Sequence, residues 1–140
     1  MKINVILITT IAVIAIVLTG CGKSKPIDVG KTIKSTTTGD TTITLSSASG
    51  EIKNGENELT LSFTDQSGKT VNVPAASLRF YMPAMGSMAE MHNAAALTTT
   101  ETPGIFRARV SVESPGTWEV MVSFQRTGGT EQATMSVNAK

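Results

Sequence analysis

The sequence has very little of the chemistry that enzymes depend on. It contains one cysteine, Cys21, and one histidine, His92. It has no Gly-x-Ser-x-Gly elbow, no His-Glu-x-x-His pair and no phosphate-cradling glycine loop. A hydrolytic nucleophile needs a neighbouring base, and a lone His with no free Cys supplies no such couple. The acids are scattered: Glu51, Glu56 and Glu58 stand near a turn, and Glu113 and Glu119 on strands. No pair of them is singled out as a general acid and base. Glu119 is a candidate cross-strand partner for Arg107 or Arg109, which is a surface role. The expectation is a protein that is not an enzyme.

Charge is scarce as well, at 16% of residues. From Ile3 to Leu18 there is none, and the run is mostly Ile, Val, Leu and Ala, preceded by Lys2 and ended by Leu18-Thr19-Gly20-Cys21. A short basic start, an apolar core and small residues before a cut describe a secretory signal. The run is shorter than the ~20 residues of a spanning helix. The tetrad resembles a bacterial lipobox, in which the cysteine thiol is acylated and becomes the first mature residue; an uncleaved signal anchor is the alternative. Residues 1–20 are therefore expected to be a lipoprotein signal peptide, and Cys21 the lipidation site. The protein is placed outside the cytoplasm, anchored to a bacterial membrane by lipid. Losing residues 1–20 leaves eleven basic residues (12 less Lys2) against 11 acidic ones. A net charge of zero argues against a nucleic-acid partner, which requires a basic face.

With Cys21 acylated, no thiol remains for a disulfide, so the domain must be held by its core. Residues 21–40 read as the lipidated Cys and a flexible linker. The stretch holds Lys23, Lys25, Lys31, Lys34 and the polar run Ser35-Thr36-Thr37-Thr38, with no apolar period. From Thr41 onward a period of two takes over. Apolar positions alternate with polar ones through Ile43–Leu45, Leu59–Phe63, Leu78–Phe80, Phe106–Val112, Trp118–Phe124 and Ala133–Val137. A weaker strand covers about Ala94–Thr100, and Thr70–Val73 is a possible edge piece before Pro74. Asn54-Gly55, Gly68, Pro103-Gly104, Pro115-Gly116 and Gly128-Gly129 punctuate these runs as turns. About seven short strands without a convincing helix predict an all-β chain, an antiparallel β-sandwich over residues 41–140.

What the chain has in plenty is methionine, in one place. Met82, Met85, Met88 and Met91 account for four of its seven, each three residues after the last, and His92 follows. Pro83 and Gly86 argue against a regular helix. A turn leaving the strand Leu78–Met82 is expected, with room for one helical turn from Ser87 to Asn93. Thioether sulfur is a soft ligand that survives in an oxidising compartment and suits Cu(I) or Ag(I). Met82, Met85 and Met88 are the leading candidate ligands, with Met91 and His92 next and Trp118 as a cation–π cap. Two other readings stand beside this one. Methionine fills irregular core gaps, and it also makes adaptable interfaces.

The elements Gly50-Glu-Ile-Lys-Asn-Gly55, Asn57-Glu-Leu-Thr-Leu, Asp65-Gln-Ser-Gly68-Lys, Met82-Pro83-Ala84-Met85, Pro103-Gly104-Ile-Phe106 and Pro115-Gly116-Thr-Trp118-Glu together resemble the YtkA-like domain. The resemblance covers about Thr41 to Lys140. It implies an immunoglobulin-like sandwich outside the cytoplasm, found as stand-alone lipoproteins and beside copper-handling or efflux components, and similar to the FixH group associated with copper-dependent oxidase assembly. Family members often carry a His shortly after Met-Pro-x-Met, where this chain has Gly86-Ser87-Met88, so Met88 stands where that ligand would be. The functional expectation is a lipid-anchored Cu(I) carrier, buffer or metallochaperone. Its alternative is a structural or interaction module that docks on an envelope protein partner.

Overall fold

The computed structural model describes residues 27–140, and the expected signal peptide and Cys21 lie outside these residues. Nine strands follow one another among the described residues: β1 (Lys31–Thr38), β2 (Thr41–Ser47), β3 (Gly55–Thr64), β4 (Ala76–Met82), β5 (Met91–Ala94), β6 (Ala96–Thr99), β7 (Ile105–Val112), β8 (Gly116–Arg126) and β9 (Gly129–Ala139). They form two antiparallel sheets ordered β1-β2-β3-β7-β6 and β5-β4-β8-β9. Leaving β1 aside, the strands β2-β3-β7-β6 facing β5-β4-β8-β9 follow the immunoglobulin order of sheets.

The alternation in the sequence is the alternation of the core. Ile43, Leu45, Leu61, Phe63, Val112, Trp118, Val120 and Val122 are fully shielded from solvent. Between them, on the outer faces, stand Arg107, Arg109, Glu119 and Met121. Phe63 of β3 ties the sheets together. Its ring meets Phe106 of the same sheet edge-on at 5.9 Å and Phe124 of the opposite sheet at 5.0 Å. The Trp118 indole donates to the Ser114 carbonyl at 2.9 Å, so its one polar atom is satisfied inside the core.

Four expectations need correction. The linker foreseen up to residue 40 contains a strand: β1 occupies Lys31–Thr38 and pairs with β2 from Lys31↔Ser47 to Thr38↔Thr41. Its threonines and serine gain cross-strand partners, with hydroxyls 3.0 Å apart at Ser35–Thr44 and 3.2 Å apart at Thr37–Thr42. Polar β-branched residues need only an existing strand edge to extend, not a buried face of their own. The helical turn allowed from Ser87 to Asn93 does not form; Met91–Ala94 is β5, paired with β4. Residues 70–73 make only an isolated bridge, Thr64↔Thr70. Arg109 pairs with Glu58 at 2.7 Å, not with Glu119, because β7 neighbours β3 and belongs to the other sheet from β8.

Exposed ion pairs fasten the rim. Arg126, at the end of β8, binds Asp40 and Thr41 in the β1–β2 turn. Lys140 binds Glu51 at the opposite end. Hydrogen bonds from Arg126, then Thr41, hold Asp40 below its ordinary value. Lys140 does the same for Glu51, and Ser67 with the Lys69 amide for Asp65. A lowered native pKa means stability that is present above the unfolded value and lost as pH falls through the native one. Stability is therefore expected to be level from about pH 5 to 8 and to decline below about pH 4, where these carboxylates take up protons. Urea unfolding across that range checks it, and Asp40→Asn should reduce the acid-dependent part. Phe63→Ala should cost about 3–5 kcal/mol in the same assay, the usual loss for emptying a buried aromatic site.

Candidate soft-metal hairpin

The methionine spacing comes from a hairpin. β4 and β5 pair as Arg79↔Ala94, Phe80↔Asn93, Tyr81↔His92 and Met82↔Met91. The same register continues past the strand ends to an isolated bridge at Met85↔Met88. There both backbone bonds are made: the Met85 amide donates to the Met88 carbonyl at 3.1 Å, and the Met88 amide to the Met85 carbonyl at 2.9 Å. Gly86 and Ser87 form the two-residue turn. Gly86 has φ 56° and Ser87 is not among the positive-φ residues of the described chain, which is the pattern of a type II′ turn with Gly first. Two residues facing each other across such a turn are three apart in sequence. The four methionines are thus two cross-strand pairs, Met82–Met91 and Met85–Met88.

The pairs differ in surroundings. Met82 is 1% exposed and belongs to the core, with its Cε close to Gly116. Met91 is half-buried and packs against that core. Met85 and Met88 are 55% and 45% exposed. A hydrogen-bonded pair puts directly opposed side chains on one face of its ribbon. The tip therefore offers two thioethers side by side, held by backbone bonds that involve neither sulfur.

His92 stands on the other face of β5 from Met91, because neighbouring strand residues point opposite ways. Its ring lies 4.8 Å from that of Tyr81. Glu90 joins them: its carboxylate accepts from the Tyr81 hydroxyl at 3.3 Å and lies 3.6 Å from His92 Nε2. Partial burial, then the charges of Glu90 and Glu119, hold the Tyr81 hydroxyl above its ordinary value. The ligand set expected from spacing is accordingly divided. Met85 and Met88 share the exposed tip, Met82 and Met91 face inward, and His92 stands outward beside Tyr81. Trp118 is buried in the core with its ring enclosed, so it presents no face to an ion at the tip. Sequence reasoning overlooked Tyr81 and Glu90. The paired positions around Gly86-Ser87 would have disclosed them once that dipeptide was read as a hairpin turn.

Other concave features carry less chemistry. A groove of about 290 Å³ between β1 and β9 is lined by Ile33, Lys34, Glu51, Asn138 and Lys140 among others, and a shallower one of about 210 Å³ lies at Ala75–Ser77 and Ser123–Gln125. Among the described residues no group of three or more His, Cys, Asp and Glu is placed to hold a metal. The division of the methionines has a direct test by chemical denaturation. Met82→Ala should cost about 2–5 kcal/mol, as for a truncated core side chain, whereas Met85→Ala and Met88→Ala should each fall within about 0.5 kcal/mol of the parent.

No curated protein and no solved structure matches the chain. The family model described as YtkA-like matches residues 36–123, from within β1 to within β8, and spans the whole methionine hairpin. That match covers more than half of the 140 residues, and the chain belongs to the YtkA-like family.

Proposed function

We propose that this protein is a non-enzymatic, lipid-anchored module outside the cytoplasm that binds Cu(I), or a similar soft monovalent ion, at the tip of the β4–β5 hairpin. The observation that carries the reading is the pair Met85–Met88. These are two neutral soft donors, both exposed, opposed across a doubly bonded bridge. Thioethers favour Cu(I) over Zn(II) or Mg(II) because a soft, uncharged donor gives little to a hard cation. Two thioethers suffice for a low-coordinate monovalent ion and leave an open position from which it can be passed on, as a carrier or metallochaperone requires. Cys21 supplies the lipid anchor in this reading.

Exposed methionine also favours a second reading, a module that docks on an envelope protein through an adaptable thioether surface. All three large hydrophobic side chains exposed among the described residues, Met85, Met88 and Met121, are methionines. Titration separates the two. Ag(I), and Cu(I) under anaerobic conditions, should bind with one ion per chain in competition with a chelator. Met85→Ser with Met88→Ser should weaken that binding at least tenfold without moving the unfolding midpoint, and Met121→Ser should leave it unchanged. Binding that is indifferent to the double substitution removes the metal site and leaves the docking reading.

A further inference from the structure

The ends of the sandwich are not alike. The chain reaches β1 through Gly30, whose amide is held by Asp28 Oδ1 at 2.9 Å. The position is tight: at φ 72°, a Cβ there would lie 2.4 Å from the Ser47 carbonyl oxygen, so only glycine fits. Lys31 then pairs with Ser47 and touches Gly50. From Glu51 the ion pair with Lys140 and the bridge Ile52↔Ala139 cross to the other sheet. Ala139 pairs with Gly116, and Gly116 sits against the Met82 side chain. The point where the chain joins the domain and the base of the methionine hairpin are thus at one end of the sandwich. The turns at Gly39 and at Asp65–Lys69 are at the other end.

From this end the hairpin projects. Pro83 through Glu90 are all exposed, and Pro83-Ala84-Met85-Gly86-Ser87-Met88-Ala89 carries no charge. The nine residues 22–30 separate Cys21 from β1. Fully extended they span roughly 30 Å, at about 3.3–3.6 Å per residue. A lipid on Cys21 would therefore hold this end, and not the far one, next to the bilayer. An uncharged finger with two flexible apolar side chains suits the interfacial zone of a membrane, where a charged tip would be repelled by the cost of desolvation.

We propose that the tip Pro83–Ala89 is the membrane-facing element of the protein and seats Met85 and Met88 in the lipid interface of the bilayer that carries the anchor. This inference rests on the lipid-anchor reading and not on metal binding. The test uses the full acylated chain in vesicles of phosphatidylethanolamine and phosphatidylglycerol. An environment-sensitive dye is attached at Ser87→Cys or, at the far end, at Gln66→Cys; acylation leaves no native thiol to compete. The dye at position 87 should be quenched severalfold more by a lipid-borne nitroxide than the dye at 66, and less by iodide in the water phase. Adding Met85→Ser and Met88→Ser should abolish that difference. Equal quenching at 87 and 66 in a chain whose Cys21 is shown acylated by mass overturns the tip's docking alone. Absence of the diacylglyceryl mass on Cys21 overturns the anchor reading and the inference with it. Lipid quenching at 87 in a chain that binds no Ag(I) sustains the inference while the metal reading fails.

Discussion

Apolar contact between two sheets is the interaction on which everything else here depends. The described residues hold no cysteine to cross-link the sheets, and the polar bonds that pass between the sheets, from Asn93 to Ser111 and in the ion pairs of Arg126 and Lys140, lie at their edges and ends. Phe63, Phe80, Phe124 and Trp118 fill the middle, and branched aliphatic residues complete it. Because strand side chains alternate, this core also dictates register. A slip of one residue would turn the buried set outward. In β4 the inward set is Leu78, Phe80 and Met82, with Tyr81 and Arg79 facing out. Burial of Met82 therefore does more than fill space. It fixes the phase in which the chain leaves the sandwich, and with it the pairing that brings Met85 opposite Met88.

Asn93 reinforces this from the returning strand. Its side chain reaches across the sandwich edge and donates to the Ser111 carbonyl of β7 at 2.8 Å. β5 is only four residues long, and so short an edge strand gains from an anchor to the opposite sheet. Met91 and Asn93 hold one arm of the hairpin and Met82 the other. Between the two arms the tip needs only backbone bonds and Gly86 to close. The side chains that define the surface of the tip are consequently free of structural duty, which leaves them available for contact with an ion, a lipid or a partner.

The inward face of six strands could be read directly from the period of two, since a half-buried strand imposes that period on composition. β1 could not be read this way. Its Lys-Thr-Ile-Lys-Ser-Thr-Thr-Thr sequence buries little, and its pairing is decided by an edge that β2 offers only in the folded state. β5 is too short to show a period. The methionine motif was legible as a cluster but not as a geometry. A spacing of three suggests a helical turn when taken alone, and it is also the spacing across a two-residue hairpin turn. Only the second pair, Met82 and Met91, nested symmetrically outside Met85 and Met88, distinguishes the two, and that symmetry emerges once Gly86-Ser87 is taken as the centre.

The polarity of the tip follows from the chemistry it would support. A site built from carboxylates would hold a hard cation and carry its own negative charge into any interface, at a large desolvation cost. Two thioethers are neutral. With a monovalent ion bound the site bears a single spread charge, and without it none. The charged and ionisable groups of the hairpin, Glu90, Tyr81 and His92, are gathered instead at its base on the outer face, where the Tyr81 hydroxyl donates to Glu90 and the His92 ring lies against that of Tyr81. That separation allows a soft, uncharged tip and a polar, hydrated stem to coexist within twelve residues, Tyr81 to His92.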